Sequence, residues 1–136
     1  MRWSAAARFE IRVGGQIDFG DLANLFRAVG WESRLEGLPD AIRNSALVIH
    51  AHSTAGLIGF ARVISDKVLS AWLLDVCVHP LFQRHGVGGA LVESAARALP
   101  GVDWLVTWDA TPQATFFERH GFQRAGNALW RKGSKA

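Results

Sequence analysis

Residues 73–99 read LLDVCVHPLFQRHGVGGALVESAARAL, and this stretch decides the fold. Residues 73–78 are nearly all apolar and rich in β-branched side chains, which is typical of a strand covered on both faces. Pro80 ends that strand, because proline removes a backbone donor and biases its predecessor away from helix. From Val87 apolar residues recur at helical spacing until Pro100 closes the run. The stretch therefore predicts a strand, a turn and a helix in succession.

A glycine-rich loop, residues 83–89, joins this strand to the helix. Glycines at a helix start let the backbone approach a ligand and turn its free N–H groups outward. The positive end of the helix dipole and Arg84 add to the attraction, so the loop suits a pyrophosphate. The Walker pattern fits poorly, because Ala90 follows the last glycine where a lysine is required. The dinucleotide pattern G-x-G-x-x-G would begin at Gly86, but it meets Leu91.

Two motifs resemble those of the GNAT-type N-acetyltransferases. The first is that family's coenzyme A signature, Q/R-x-x-G-x-G/A, which is present as Gln83-x-x-Gly86-x-Gly88. In the family it follows a strand ending in V-x-P, as residues 78–80 do here. The second lies at residues 114–122, ATFFERHGF, which closely resembles the family's A-x-x-Y-E-x-x-G-F element. The resemblance covers essentially the whole chain.

The remaining elements follow from hydrophobic periodicity and turn residues. Helices are predicted from the N-cap Asp18 to Gly30 and over residues 87–99 and 111–119, and a short helix or a turn over residues 38–44. Strands are predicted over residues 8–13, 46–51, 57–64, 68–78, 102–108 and 122–130. Their order matches the GNAT fold, an α/β (α+β) fold with a mixed, mostly antiparallel sheet flanked by helices. The resemblance implies that strands 4 and 5 splay apart and that the pantetheine arm of coenzyme A lies in the gap.

The resemblance implies acetyl-CoA as the acetyl donor and a set of residues that hold coenzyme A. The loop amides would hold the pyrophosphate and the end of the fourth strand would hold pantetheine. The expected contacts are Val76, Cys77, Val78, Gln83, Arg84, His85, Gly86, Val87, Gly88, Gly89, Thr111 and Phe117. In many relatives a tyrosine at the position of Phe117 protonates the leaving thiolate. A phenyl ring cannot do so, and the chain contains no tyrosine.

Asp75 is the candidate catalytic residue, as a general base or an anchor for the ammonium group of the acceptor. It is the only charged residue among residues 71–78, and a carboxylate in an apolar strand costs free energy unless it has a partner. The structural alternative is that Asp75 caps a strand bulge or pairs with a nearby arginine. Asp109 is a second candidate, although capping near Thr111 explains it equally well.

The loop that begins at Trp31 borders the acceptor pocket in the resembled family. Trp31, with Glu32 and Arg34, is therefore a candidate for the substrate pocket, as is Asp109 at the mouth of the fifth strand. The alternative is a tryptophan that closes the edge of the core beside two solvated charges. Cys77 lies in an apolar strand, where a buried thiol is the ordinary state.

Length and composition limit the other possibilities. At 136 residues, 49% hydrophobic, we expect a single domain over residues 1–136. No apolar run approaches the ~20 residues that cross a bilayer, and the N-terminal sequence lacks the apolar core of a secretory signal. The single cysteine suits a reducing compartment, so a cytoplasmic location and no membrane partner are expected. His50 and His52, two residues apart without a third ligand, are weak evidence for a metal, and none is expected.

The predicted function is transfer of an acetyl group from acetyl-CoA to a primary amine of a small molecule or peptide, by direct attack without an acyl-enzyme. The alternative is a non-catalytic coenzyme A-binding or regulatory module, which the missing tyrosine favours. Nucleic acid is not an expected partner, because the net charge is only +3 and the basic residues are scattered. The fold's exposed final strands also allow a homodimer.

Overall fold

The computed structural model describes residues 8–108, 114–124 and 131. Its strands in this part of the chain are β1 (Glu10–Val13), β2 (Leu47–Ser53), β3 (Gly56–Ser65), β4 (Ser70–Val78) and β5 (Trp104–Thr107). Its helices are α1 (Phe19–Ala28), α2 (Leu38–Arg43), α3 (Val87–Ala98) and α4 (Ala114–Glu118). Single 3₁₀ turns lie at Glu32–Arg34 and Pro80–Phe82. The predicted strand over residues 122–130 falls mostly outside the described residues.

The five strands form one sheet in the order β1-β2-β3-β4-β5. Neighbouring strands from β1 to β4 are antiparallel, whereas β5 runs parallel to β4 after the crossover through α3. The predicted mixed, mostly antiparallel sheet is therefore confirmed. A parallel neighbour requires a long crossover, and α3 provides it.

β4 begins two residues later than the sequence predicted. The Asp66 carboxylate accepts hydrogen bonds from the backbone N–H groups of Val68, Leu69 and Ser70 at 2.9, 2.8 and 3.2 Å. These bonds, the one from Val68 foremost, hold the pKa of Asp66 below its usual range. The sequence places the turn at residues 65–67 and starts the strand at Val68, but the Asp66 hydrogen bonds extend the turn through Leu69.

Each face of the sheet carries its own hydrophobic layer. The face under α3 buries the aliphatic side chains Ile49, Ala51, Ile58, Ala61, Val63, Ala71, Leu73, Val87, Leu91, Val92 and Ala95. The face under α1 and α2 buries Leu22, Leu25, Phe26, Leu38, Val48, Phe60 and Cys77. Helix α1 starts as predicted, because the Asp18 carboxylate accepts from the N–H of Asp21 at 2.8 Å.

Gly59 on β3 fixes how closely α3 lies on the sheet. A Cβ atom there would lie 3.0 Å from Cγ1 of Val87 and 3.1 Å from Cδ1 of Leu91. These distances are shorter than ordinary van der Waals separation. Because Gly59 has no side chain, α3 can therefore pack close to the sheet. The first turn of α3 is thereby held against the sheet beside the end of β4.

Candidate active site

The loop before α3 presents unpaired backbone donors. Gly86 is the N-cap of α3 at a φ of +85°, which glycine adopts without strain. The first hydrogen bond of the helix runs from the N–H of Ala90 to the carbonyl of Gly86, at 3.0 Å. The N–H groups of Val87, Gly88 and Gly89 therefore have no acceptor within the helix. Nor does the described part of the chain supply one. Such a helix end attracts anions.

Four side chains of residues 83–89 differ in their surroundings. The Gln83 side chain donates from Nε2 to the carbonyl of Val78 at 3.0 Å, which ties the loop to the end of β4. Arg84 and His85 are exposed, and Arg84 has a φ of +65°. The side chain of Val87 is buried in the core, so that residue can meet a ligand only through its backbone.

Two glycines in the first turn of α3 make room for α4 and the turn that follows it. A Cβ on Gly88 would lie 3.2 Å from Cζ of Phe116, and one on Gly89 would lie 2.8 Å from Cε1 of His120. His120 is itself held by Glu93, with 3.1 Å between Nδ1 and Oε1. The sequence explained these glycines by approach to a ligand, and the structure adds the packing of α4 against α3.

β4 and β5 pair over only part of β4. The parallel pairing runs from Ser70 opposite Trp104 to Leu73 opposite Thr107. The Thr107 hydroxyl closes it by donating to the carbonyl of Leu73 at 3.0 Å. Beyond this point β4 continues through residues 74–78, which no described residue pairs on the β5 side. Among the described residues, this edge of β4 therefore has no pairing partner next to the N-terminus of α3.

Asp75 lies on a bulge of β4 at the start of this open edge. Its φ is +55°, and the pairing of β3 with β4 shifts register between Phe60 and Arg62. Oδ2 of Asp75 accepts from Nε of Arg62 and Oδ1 accepts from Nη2 of Arg34, both at 2.5 Å. The bulge and the arginine pairing that the sequence left open as alternatives are thus both present. A role as base or ammonium anchor stays a prediction, and it would require one guanidinium to release its oxygen.

The side chains of β4 next to Asp75 point to opposite layers. Val76 and Val78 pack against the layer under α3, and Cys77 packs into the layer under α1. Burial raises the pKa of the Cys77 thiol far above its usual range, and the Asp75 carboxylate adds to the shift. A thiol held in its neutral form is a poor nucleophile.

Comparisons with known proteins point to one family. The profile of the acetyltransferase (GNAT) domain matches residues 44–124. The chain is similar to a ycf52-like N-acetyltransferase of Prochlorococcus marinus, with 31% identity over 125 residues, covering 84% of this chain and 69% of the relative.

The chain belongs to the GNAT acetyltransferase family.

Two further relatives extend the comparison. The GNAT domain is similar to the histone acetyltransferase TAP1 of Glycine max, with 39% identity over 124 residues. That match covers 81% of this chain, but the chain spans only 54% of the soybean protein's length. A GNAT-family acetyltransferase from Streptococcus pneumoniae TIGR4 superposes with a TM-score of 0.76 at 24% identity, covering 93% of this chain and 100% of that chain. At this identity the likeness shows the fold.

The aromatic candidates of the GNAT domain are packed. The ring of Phe117 is half-buried, with its centroid 5.0 Å from that of Phe116 and 5.5 Å from that of Phe122, both edge-on. Trp31 is also half-buried and meets Phe26 edge-on at 5.5 Å between centroids. Trp31 therefore closes the edge of the core under α1, beside the turn that carries Arg34.

Two predicted site residues of the GNAT domain, Asp109 and Thr111, lie outside the described residues. Within residues 8–108, 114–124 and 131, no cluster of three or more His, Cys, Asp or Glu side chains could hold a metal ion. His50 and His52 instead pair with each other, 2.7 Å apart between Nδ1 and Nε2. In the same part of the chain, no helix is long and apolar enough to cross a membrane.

Sequence reasoning missed Arg62. It is the only charged residue of β3, as Asp75 is of β4, and the two strands are antiparallel neighbours. Lone charges of opposite sign on adjacent strands, each in an apolar run, are a signal for a buried ion pair. The bulge that brings them together left no mark in the sequence.

Proposed function

We propose that this GNAT domain is an acetyl-CoA-dependent N-acetyltransferase that acts on a primary amine of a small molecule or a peptide. The observation that carries the proposal is the open edge of β4 beyond Leu73, next to the unpaired N–H groups at the start of α3. A strand edge without a pairing partner that ends beside a helix N-terminus suits a long ligand with a diphosphate in its middle. Family membership supports the same activity, since GNAT acetyltransferases generally use acetyl-CoA.

The residues present fit coenzyme A. The N–H groups of Val87, Gly88 and Gly89 would hold the pyrophosphate, and Arg84 lies exposed beside them. The backbone of residues 76–78 would hold pantetheine by hydrogen bonds along the open strand edge. The net charge of +3 also favours the approach of an anionic ligand.

When bound, acetyl-CoA would supply an acetyl group activated as a thioester. The amine nitrogen forms the new amide bond as the carbon–sulfur bond breaks, and the amine proton passes to solvent or to a base. The chain contributes by orienting the amine beside the open part of β4 and by polarising the carbonyl with strand amides. Asp75 enters this proposal as the base or amine anchor, or by fixing Arg34. Trp31, and Asp109 at the mouth of β5, would border the amine.

Phe117 cannot protonate the leaving thiolate. Water would do so in its place, or the thiolate would leave directly. Loss of one general acid typically costs about 10²–10⁴-fold in rate, so turnover would be slow rather than absent. This residue also favours the second candidate function, a coenzyme A-binding or regulatory module. A screen of primary amines with detection of thiol release separates the two, because the module would bind coenzyme A and release no thiol.

Gly86→Glu tests the phosphate site. We expect it to abolish coenzyme A binding in titration calorimetry, because glutamate brings a negative charge to the helix N-terminus and is strained at a φ of +85°. Gly15→Glu is the matched control, since Gly15 has a φ of +76° and open space around it at the opposite edge of the sheet. Unchanged affinity in Gly86→Glu would refute the site.

Asp75→Asn tests the role of the carboxylate. If Asp75 is the base, the variant loses kcat/KM together with the low-pH limb of the rate profile. If Asp75 acts by fixing Arg34, kcat/KM falls by the same factor at every pH. Wild-type rates across the pH range would place the function of Asp75 elsewhere.

A further inference from the structure

The ion cluster at the β4 bulge carries an unbalanced positive charge. Asp75 is bound by two guanidinium groups, and no other described acidic side chain pairs with Arg34 or Arg62. The nearby Glu32 is engaged with Arg27, at 3.5 Å. The three side chains of the cluster therefore sum to one positive charge.

The excess positive charge is accessible to a ligand at Arg34, whereas Arg62 is buried. The side chain of Arg62 is 10% exposed, whereas that of Arg34 is 47% exposed. Asp75 engages only Nη2 of Arg34, which leaves Nε and Nη1 without an acceptor among the described residues. The planar guanidinium is thus held by one hydrogen bond on a side chain that is about half exposed, with two donor nitrogens unused, and that arrangement suits a carboxylate.

The position of Arg34 ties it to the amine side of the site. It lies in the 3₁₀ turn between α1 and α2, and its partner Asp75 lies two residues past Leu73, where β4 and β5 stop pairing. Asp75 and Arg62 meet on the α1 side of the sheet, because Arg62 shares a face with Phe60 of that layer. The loop before α3 approaches the same end of β4 from the other face.

We propose that Arg34 binds a carboxylate on the acceptor, so that this domain prefers amines that also carry an acidic group. Asp75 is then a positioning residue, because it holds the guanidinium before the substrate arrives. Preorganisation lowers the entropy lost on binding. The proposal rests on the proposed function, since it names the substrate class of that site. Lysine-rich peptides are disfavoured acceptors, because their charge is repelled by the cluster.

Matched pairs of amines test this proposal. Phenylalanine is compared with phenethylamine, tryptophan with tryptamine, and leucine with 3-methylbutylamine, by initial rates of thiol release from acetyl-CoA. Each pair differs by one carboxylate. For each pair, kcat/KM for the amine with the carboxylate is divided by kcat/KM for the neutral amine. This ratio in the wild type is then divided by the same ratio in Arg34→Gln. This double ratio cancels the intrinsic nucleophilicity of each amine, and we expect it to be on the order of tenfold to a hundredfold.

Two further variants complete the test. Arg34→Lys keeps the charge without the planar fork, so its acid-to-neutral ratio should fall between those of the wild type and Arg34→Gln. Arg43→Gln makes the same charge change at an exposed residue of α2 that pairs with Asp40, and its ratio should equal the wild-type ratio. A basic peptide composed of lysine and glycine is assayed as an acceptor alongside the amines.

The outcomes separate the two proposals. If Arg34→Gln leaves the acid-to-neutral ratio unchanged, or lowers both rates in parallel, Arg34 has a structural role and the carboxylate proposal is overturned while the acetyltransferase stands. Preference for the basic peptide overturns it in the same way. If no amine gives thiol release, the proposed function fails and the substrate class fails with it.

Discussion

The two faces of β4 differ in whether main chain or side chains supply the polar groups next to the strand. On the α3 side, the N–H groups of Val87, Gly88 and Gly89 have no acceptor among the described residues, and the proposed anion site consists of main chain. On the α1 side, Asp75, Arg34 and Arg62 form a site made of side chains from three separate segments. A main-chain site needs only a local sequence that shapes the backbone. A side-chain site needs the fold to bring distant residues together.

The difference also concerns stability. The first turn of α3 gains contacts with the core through Val87 and with α4 through the two glycines, whatever ligand is present. The Asp75 cluster contains a pair whose side chains are 9% and 10% exposed, and such pairs are sensitive to the loss of one partner. We therefore expect the loss of one partner from the Asp75–Arg62 pair to lower the free energy of unfolding, in addition to any effect on ligand binding.

Arg62→Met should have the largest effect on stability. It leaves the mostly buried Asp75 carboxylate with Arg34 alone, and breaking a buried pair costs about 3–5 kcal/mol of the free energy of unfolding. Urea denaturation measures the change. Arg43→Met is the control, because its pair with Asp40 is exposed and worth about 0–1 kcal/mol.

The double variant Arg62→Met/Asp75→Gly sharpens this measurement. It removes both charges of the pair and places glycine at a φ of +55°, so it should be more stable than Arg62→Met alone. If the double variant were the less stable of the two, the carboxylate would contribute through contacts other than this pair.

Gly89→Ala should have an intermediate effect, and its sign should depend on His120. In the wild type the new Cβ would lie 2.8 Å from Cε1 of His120, so the ring must leave its contact with Glu93. Overpacking of this kind costs about 1–3 kcal/mol, which exceeds the gain of up to ~1 kcal/mol in helix propensity. In a His120→Ala background the clash is gone, and Gly89→Ala should be neutral or stabilising. Equal destabilisation in both backgrounds would contradict the packing role of Gly89.

The smallest effect is expected at a site remote from both sides of β4. Burial is the largest cause that lowers the pKa of His52 below 6.5, and Arg12 and His50 lower it further. Glu10 and Asp21 oppose this shift. Below about pH 6.5 the unfolded chain takes up a proton that folded His52 resists, so stability falls as the pH is lowered. His52→Gln should weaken this dependence between pH 7.5 and 5.5 in urea denaturation. An unchanged dependence would assign the slope to other groups.

The pairing of these two rings follows from their partners. Nε2 of His50 lies 2.8 Å from the carbonyl of Gly14, which can only accept, so His50 donates there. Nδ1 of neutral His50 must then accept from Nε2 of His52. The two histidines, which were weak candidates for a metal site, thus form hydrogen bonds with each other and with a backbone carbonyl.

Much of the fold was predictable because it is encoded locally. The limits of α3, the N-cap at Asp18 and the order of the strands follow from periodicity and turn residues within a few positions. Errors occur where a side chain competes with the backbone, as Asp66 does before β4. The roles of Gly88 and Gly89 were only half predicted, since Phe116 in α4 and His120 in the turn after it approach α3 from a separate part of the chain.

By itself, the sequence of residues 73–99 determined a strand, a glycine loop and a helix whose first amides are free, because glycine geometry and helix hydrogen bonding depend only on neighbours in the chain. Tertiary structure alone decided what surrounds Asp75. Its partners lie 41 and 13 residues away, and the β4 bulge turns its carboxylate toward them. Contacts at that separation depend on strand register and helix packing, which no local pattern specifies.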